Sequence, residues 1–215
     1  MKVSVPTPST ATVQGYLTKW KTLDKYVHQE EALNRLFQKL CPSNSDLLSV
    51  LLKVSALNDF YSTNIYDTHS VAAHIVALNC GQRIKDGDVS LVNEMALVKV
   101  GKTERNFFSF ASKYCNHHHP EPFPIFDSYV EKMLWYFQGI GRFATFKRPE
   151  LRRYNRFVEL IGDFRMHYGL AQFSLREIDI YLWLAGKEAF ETLSQKKQRR
   201  LAGHEIATQP IETQL

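Results

Sequence analysis

Residues 108–134 read FSFASKYCNHHHPEPFPIFDSYVEKML, and the parsing of this stretch sets how the rest of the chain must be read. Apolar residues at both ends recur at spacings of three and four, the signature of helices that bury one face. Between them, Pro120, Pro122 and Pro124 each lack a backbone donor and push the preceding residue towards an extended conformation. The stretch therefore predicts a helix that stops by His119, an extended connector over residues 116–125, and a helix resuming near Phe126 with Val130, Met133, Leu134 and Phe137 on one face. Asp127 falls in the first turn of that second helix, where an acid caps exposed amides or serves as a fixed base.

Outward from there, helical periodicity recurs nearly everywhere and strand alternation almost nowhere. Residues 16–40 carry Trp20, Leu23, Tyr26, Val27, Leu33, Leu36, Phe37 and Leu40 as one amphipathic helix or two with a break. The next helix opens after Pro42, with Ser43, Asn44 or Ser45 as its cap and Asp46 in its first turn. Another begins at Asp67 or Thr68 and stops at Gly81 in a left-handed conformation. DGDVSLVNEMALVKVG, residues 86–101, predicts a helix closing at Gly101, and TERNFFSFASKYC a helix from Thr103. RFVELIGDFRMHYG ends at Gly169, and Ser174 with Glu177 forms a capping box ahead of the last helix. The expectation is an all-α fold of about eight helices and no sheet, a single two-lobed domain over residues 16–194. Residues 1–15 are expected as a flexible tail, and residues 195–215 as a basic, then disordered, one.

Of 215 residues, 44% are hydrophobic and the net charge is +5, enough apolar content for one sizeable core. Cys41, Cys80 and Cys115 are too scattered for a disulfide framework and cannot supply the four thiolates of an iron–sulfur cluster. With no apolar leader and no uncharged 18-residue window, a cytoplasmic protein without a membrane partner is expected.

The basic charge is uneven. GRFATFKRPELRRYNR, residues 141–156, interleaves Arg142, Lys147, Arg148, Arg152, Arg153 and Arg156 with Phe143, Phe146 and Tyr154, which suits a phosphate backbone with stacked bases as well as a solvated helix start. KKQRR at 196–200 adds a second cluster. ALVKVGKT, residues 96–103, approaches a phosphate-binding loop but has Ala96 at the first glycine position and only Gly101 to let amides wrap a phosphate. For a metal site at Cys115, His117, His118 and His119, alternate residues of an extended chain face opposite sides, so at most two could face one ion, and His69, His74 and His167, candidates for the rest, sit at no identifying spacing. The alternative is that these histidines cap a helix end, so no metal and no cofactor is expected.

A helix, a glycine turn with Lys102, the helix TERNFFSFASKYC, a proline-containing extended segment and then PIFDSYV together resemble the helix-hairpin-helix DNA glycosylase superfamily. The resemblance spans Ser45 to Leu184 as architecture, with PIFDSYV as its most specific part. It implies DNA as partner, the amides at Gly101 as a phosphate grip, Asp127 as catalytic aspartate, and Lys102 or Lys113 as Schiff-base lysine. LVKVGK carries one glycine and no proline where the family has a fuller hairpin. The implied activity is base excision, with or without strand cleavage, on a base flipped from the duplex. Asn58, Tyr61, Ser62 and Asn64 are the expected pocket residues, and Gly101, Arg148, Arg152 and Arg153 the expected backbone contacts. The alternative is a non-catalytic module on the same scaffold, binding DNA or protein, for example in genome defence.

Overall fold

The computed structural model describes residues 5–207, with side chains through Glu191. The fold is all-α apart from one hairpin. In chain order it runs α1 (Thr10–Trp20), α2 (Asp24–Arg35) with a π-helical turn over Leu36–Leu40, α3 (Leu47–Tyr61), α4 (Thr68–Ala77), α5 (Gly81–Lys85) and α6 (Leu91–Ala96). Strands β1 (Leu97–Val100) and β2 (Thr103–Asn106) follow, then α7 (Phe108–His118), α8 (Ser128–Gly141), a 3-10 turn at Arg148–Arg152, α9 (Tyr154–His167) and α10 (Leu175–Ala207). None of the described helices is long and apolar enough to cross a membrane.

The helix starts follow from local chemistry. Ser9, Asp46, Asp67 and Asp127 cap α1, α3, α4 and α8 by accepting from Thr12, Ser49, Ser70 and Tyr129 amides. The expected cap of α3 thus shifts to Asp46, because its short carboxylate reaches the Ser49 amide at 2.8 Å. Ser174 and Glu177 form the expected reciprocal box at the start of α10. Gly169 takes a left-handed conformation just beyond α9, whereas the left-handed residue after α4 is Asn79 and Gly81 begins α5 instead.

Three expectations are corrected. Residues 97–106 pair as a hairpin, with Val100 opposite Thr103, in place of the predicted continuous helices. Gly101 has φ +57 at the first central position of its two-residue loop, a conformation glycine adopts without penalty. The expected N-terminal tail is ordered from Val5, which is buried, and α1 already begins at Thr10. Helix α10 continues to Ala207 through the expected C-terminal tail. Residues 208–215, and the side chains of the 196–200 cluster, lie outside the described ones.

One continuous apolar core runs from Val5 and Val13 through Phe37, Tyr114, Phe123 and Phe137 to Tyr181 and Ala185. Helix α10 lies against both α1 and α8, and α7 is buried beneath α3 and α6. The approach of α10 to α8 depends on Gly186, where a Cβ would lie 2.9 Å from Tyr129 Cβ and Met133 Cγ and 3.1 Å from the Tyr129 carbonyl oxygen. Alanine gains roughly 1 kcal/mol of helix propensity there, but forced overpacking costs up to roughly 3. Gly186→Ala is expected to lower stability by about 2 kcal/mol and Tm by roughly 5 °C in a thermal melt.

Candidate active site

The connector between α7 and α8 is held by donors and acceptors from three helices. Asn116 donates to the Phe123 carbonyl at 2.7 Å and Tyr154 to the Pro124 carbonyl at 2.6 Å. Asp179 Oδ2 accepts from the Ile125 amide at 2.8 Å. Ser112 Oγ accepts from the Phe126 amide at 3.0 Å, and Ser109 Oγ donates to the Phe126 carbonyl at 3.0 Å. Prolines supply stiffness and these side chains supply position, so Asp127 emerges at a defined point with Oδ1 accepting from the Tyr129 amide at 2.7 Å.

Facing it, one helical turn beyond Ser109, is Lys113, only 3% exposed. Its Nζ lies 4.0 Å from Asp127 Oδ2, donates to Ser109 Oγ at 2.5 Å, and stands 5.1 Å from the centre of the Tyr61 ring. Burial pushes the Lys113 ammonium down to about 8 against the attraction of Asp127 and Asp179. A third acid, Asp179, is 2% exposed, and burial raises its carboxyl to about 7 although the Ile125 amide, Arg176 and Lys113 all favour the charged form. Asp179 Oδ1 is among the few buried polar atoms of the described residues without a hydrogen-bond partner.

Lys113 and Asp127 sit on a wall shared by two cavities. The inner one, about 410 Å³, is lined by Trp20, Tyr26, Tyr61 and Trp183, with Asp179 and the Glu30–Arg176 ion pair among its polar groups. Trp20 stacks on Tyr26 at 5.9 Å, and Trp183 meets Tyr26 edge-on at 5.0 Å, giving an aromatic wall. The outer cavity, about 560 Å³, carries Ser62, Asn106, Ser128, Glu131 and Arg152. An apolar, aromatic pocket with few convergent polar groups and titrating residues out of their usual range is the form a small-ligand site takes.

The structure thus brings Lys113, Asp127, Tyr61 and Ser62 together. It separates the others. Lys102 is exposed at the hairpin tip and lines neither cavity, since the turn that frees Gly101 also directs this residue into solvent. Gly101 sits in that β-turn, so no helix begins at its amides. Asn58 accepts from Thr63 Oγ1 and the Ile65 amide and donates to the Ile65 carbonyl, which makes it a loop brace and not a pocket wall. Asn64 is exposed on the braced loop with φ +58. Arg148 and Arg152 both donate to the buried Glu131, at 2.9 and 3.1 Å, while Arg153 is exposed.

His117 is buried within α7, His118 is the half-buried last residue of that helix, and His119 takes the cap position, its amide donating to the Cys115 carbonyl. Tyr61 Oη lies 3.1 Å from His117 Nε2, and Lys53 Nζ lies 3.1 Å from His118 Nε2. Burial pushes both imidazoles down to about 3, so they are neutral near pH 7. Among the described residues no group of three His, Cys, Asp or Glu side chains is placed to hold a metal. Asp179, Arg176, Trp183, Trp20 and Glu30 are absent from the site residues expected from the sequence. The available signal was an acid inside the apolar run IDIYLWLAG, residues 178–186, with Arg176 three positions before it and Trp183 four after, all on one helical face.

The HI_0787_N family model, described as an N-terminal domain, matches residues 12–122. This chain belongs to that family. A protein of Haemophilus influenzae described as an uncharacterized protein is 46% identical over 142 residues, 66% of this chain and 68% of the relative. No solved structure matches the chain. The family match includes Trp20, Glu30, Tyr61 and Lys113 and ends at Pro122, ahead of Asp127 and Asp179.

Proposed function

We propose that the protein is a cytoplasmic DNA glycosylase with lyase activity that takes a flipped-out, guanine-type base into the inner cavity, with Lys113 as nucleophile and Asp127 as its partner. The observation that carries this reading is the Lys113–Asp127 pair: a buried lysine titrating near 8, with Nζ 4.0 Å from a capping aspartate.

In the proposed reaction the neutral Lys113 amine attacks C1′ of the nucleotide. The C1′–N bond breaks, the base leaves with its electron pair and takes up a proton, and Asp127 stabilises the positive charge developing on the sugar. With a proton from water on the ring oxygen, ring opening gives an iminium between Nζ and C1′; Asp127 then takes the C2′ proton as the C3′–O bond breaks and the 3′ phosphate leaves with that electron pair. The base lies against Trp20, Tyr26 and Trp183, and Asp179 Oδ1 accepts from the adjacent N–H groups of a guanine edge. The outer cavity, with Arg152 on its wall, receives the sugar and phosphate. The resemblance of PIFDSYV to the glycosylase superfamily supports the same roles.

The test uses labelled duplexes containing uracil, 8-oxoguanine, alkylated purines or an abasic site, incubated with the protein and with Asp127→Asn under borohydride. The expected result is a trapped adduct and base release from guanine-derived lesions, both reduced about 100-fold or more in Asp127→Asn. Salt-sensitive binding with no release and no adduct in either protein would favour a non-catalytic DNA-binding module.

A further inference from the structure

Beside the last turn of α7 lies a second lysine that the candidate active site does not use. Lys53, in α3, is fully buried, and its Nζ donates to the Ser43 carbonyl at 2.8 Å and to Asn44 Oδ1 at 2.5 Å, with His118 Nε2 at 3.1 Å. The Phe37 and Tyr114 ring centres stand 5.5 and 5.3 Å from it. None of these partners is acidic. Burial lowers the ammonium to about 8, so near pH 7 it stays charged, and a buried charge without a counterion is a cost that a nearby anion would offset.

The same contacts turn hydrogen-bond donors outward. Asn44 is 7% exposed, and its Oδ1 accepts from both Lys53 Nζ and Tyr114 Oη, the latter at 2.7 Å, so its Nδ2 protons point elsewhere. Nδ2 has no hydrogen-bond partner among the described residues. His118, whose Nε2 accepts from Lys53, carries its proton on Nδ1, which is likewise unpartnered among them. Both nitrogens reach open space, and both residues line a third cavity, of about 810 Å³, between the α2–α3 loop, α5 and the end of α7. Lys85 stands exposed on its wall, Phe37, Pro42 and Ile84 give it an apolar side, and no described Asp or Glu lines it.

We propose that this cavity binds a small phosphate monoester, its phosphoryl group accepting from Asn44 Nδ2 and His118 Nδ1 and its body lying against Phe37, Pro42 and Ile84. A phosphate dianion matches the charges of Lys53 and Lys85. Its three oxygens take donors arriving from the loop, α7 and α5 at once, which a planar, singly charged carboxylate does less well. Lys53 acts through Asn44 and His118: its charge polarises both donors and its contacts hold them in place. Lys113 and Asp127 have no part in this cavity, so the inference does not depend on the glycosylase reading.

The experiment titrates phenyl phosphate and phenylacetate into the full chain by calorimetry at constant ionic strength and follows the Asn44 side-chain amide by NMR. Wild type, Lys85→Glu, Lys53→Met and Arg152→Glu are compared, each with its melting temperature taken without ligand. The expected result is saturable binding of phenyl phosphate, about tenfold tighter than phenylacetate or more, that moves the Asn44 amide resonance. Lys85→Glu and Lys53→Met should each weaken it about tenfold, whereas Arg152→Glu, on the wall of the outer cavity, should not. The proposal is overturned by no saturable binding, by equal affinity for the two phenyl ligands, or by wild-type affinity in Lys85→Glu or in a folded Lys53→Met. Lys85 is exposed, so Lys85→Glu decides the outcome even if Lys53→Met melts lower. Base release and borohydride trapping by Lys85→Glu should match the wild type, so either reading can fail while the other stands.

Discussion

Lys113→Gln is expected to form no borohydride-trapped adduct with DNA and to lower base release by about 1,000-fold or more, because the displaced group is the nucleophile itself. Glutamine keeps a donor towards Ser109 Oγ and the Phe126 carbonyl, the partners that Nζ has now. In the wild type, adduct formation should rise with pH between 6 and 8, by up to about tenfold per unit, and level off as the amine becomes neutral near 8. Stability should carry the opposite mark of the same burial. The folded-state pKa lies below the ordinary 10.5, so below about 8 the charged, buried amine is a penalty. That penalty is relieved as pH rises from about 8 to 10.5. The variant should therefore melt higher than the wild type at pH 7 and gain little at pH 10.5. A lysine with only a structural role would give the melting difference and leave adduct formation alone.

Asp179→Asn separates recognition from chemistry. Its amide oxygen can still accept from the Ile125 amide, but the Oδ1 acceptor, buried without a hydrogen-bond partner, is lost or becomes a donor. Release of guanine-type bases is expected to drop about 100-fold, whereas trapping at a preformed abasic site, which offers no base to recognise, should change by less than about threefold. The pH dependence of stability has the reverse sense to that of Lys113. The folded-state pKa is raised from 3.8 to about 7, so the folded protein binds more protons than the unfolded chain between these values and loses stability as pH rises through them. At pH 8 the full penalty is present, and Asp179→Asn should be more stable than the wild type. At pH 4 the difference should vanish. A carboxylate kept in place at that cost to stability is the pattern of a residue retained for function.

Much of the candidate site could be read from local signals. Pro120, Pro122 and Pro124 end α7 wherever the chain goes afterwards, and an aspartate after PIF, just before a new apolar stripe, marks a helix cap. Lys113 enters the sequence reading only through the family resemblance, as one of two candidate lysines. The choice between it and Lys102 is not legible in the sequence, because only the packing shows that Lys113 is buried against Asp127 while Lys102 is exposed at a hairpin tip. The hairpin itself escaped because LVKV and TERN are too short for a strand period to outweigh the helical pattern before and after them. Of the histidine run only His119 takes the cap position; His117 is buried because α7 packs on several sides at once, a fact of tertiary crowding.

The all-α class, the helix caps at Asp67 and Asp127, the box at Ser174 and Glu177 and the break after α7 are properties of neighbouring residues. Their hydrogen bonds close within three or four positions, so composition and order are enough to write them. The inner cavity, the free oxygen of Asp179, the pairing of Arg148 and Arg152 with Glu131 and the lowered pKa of Lys113 belong to the tertiary structure. The cavity and the surroundings of Asp179 depend on α10 lying against α1 and α8, which joins Trp20 to Trp183 and Lys113 to Asp179 across long separations in the chain, and the arginine pairs depend on the turn before α9 folding back on α8. Periodicity records which face of a helix is buried and carries no term for which helix will cover it.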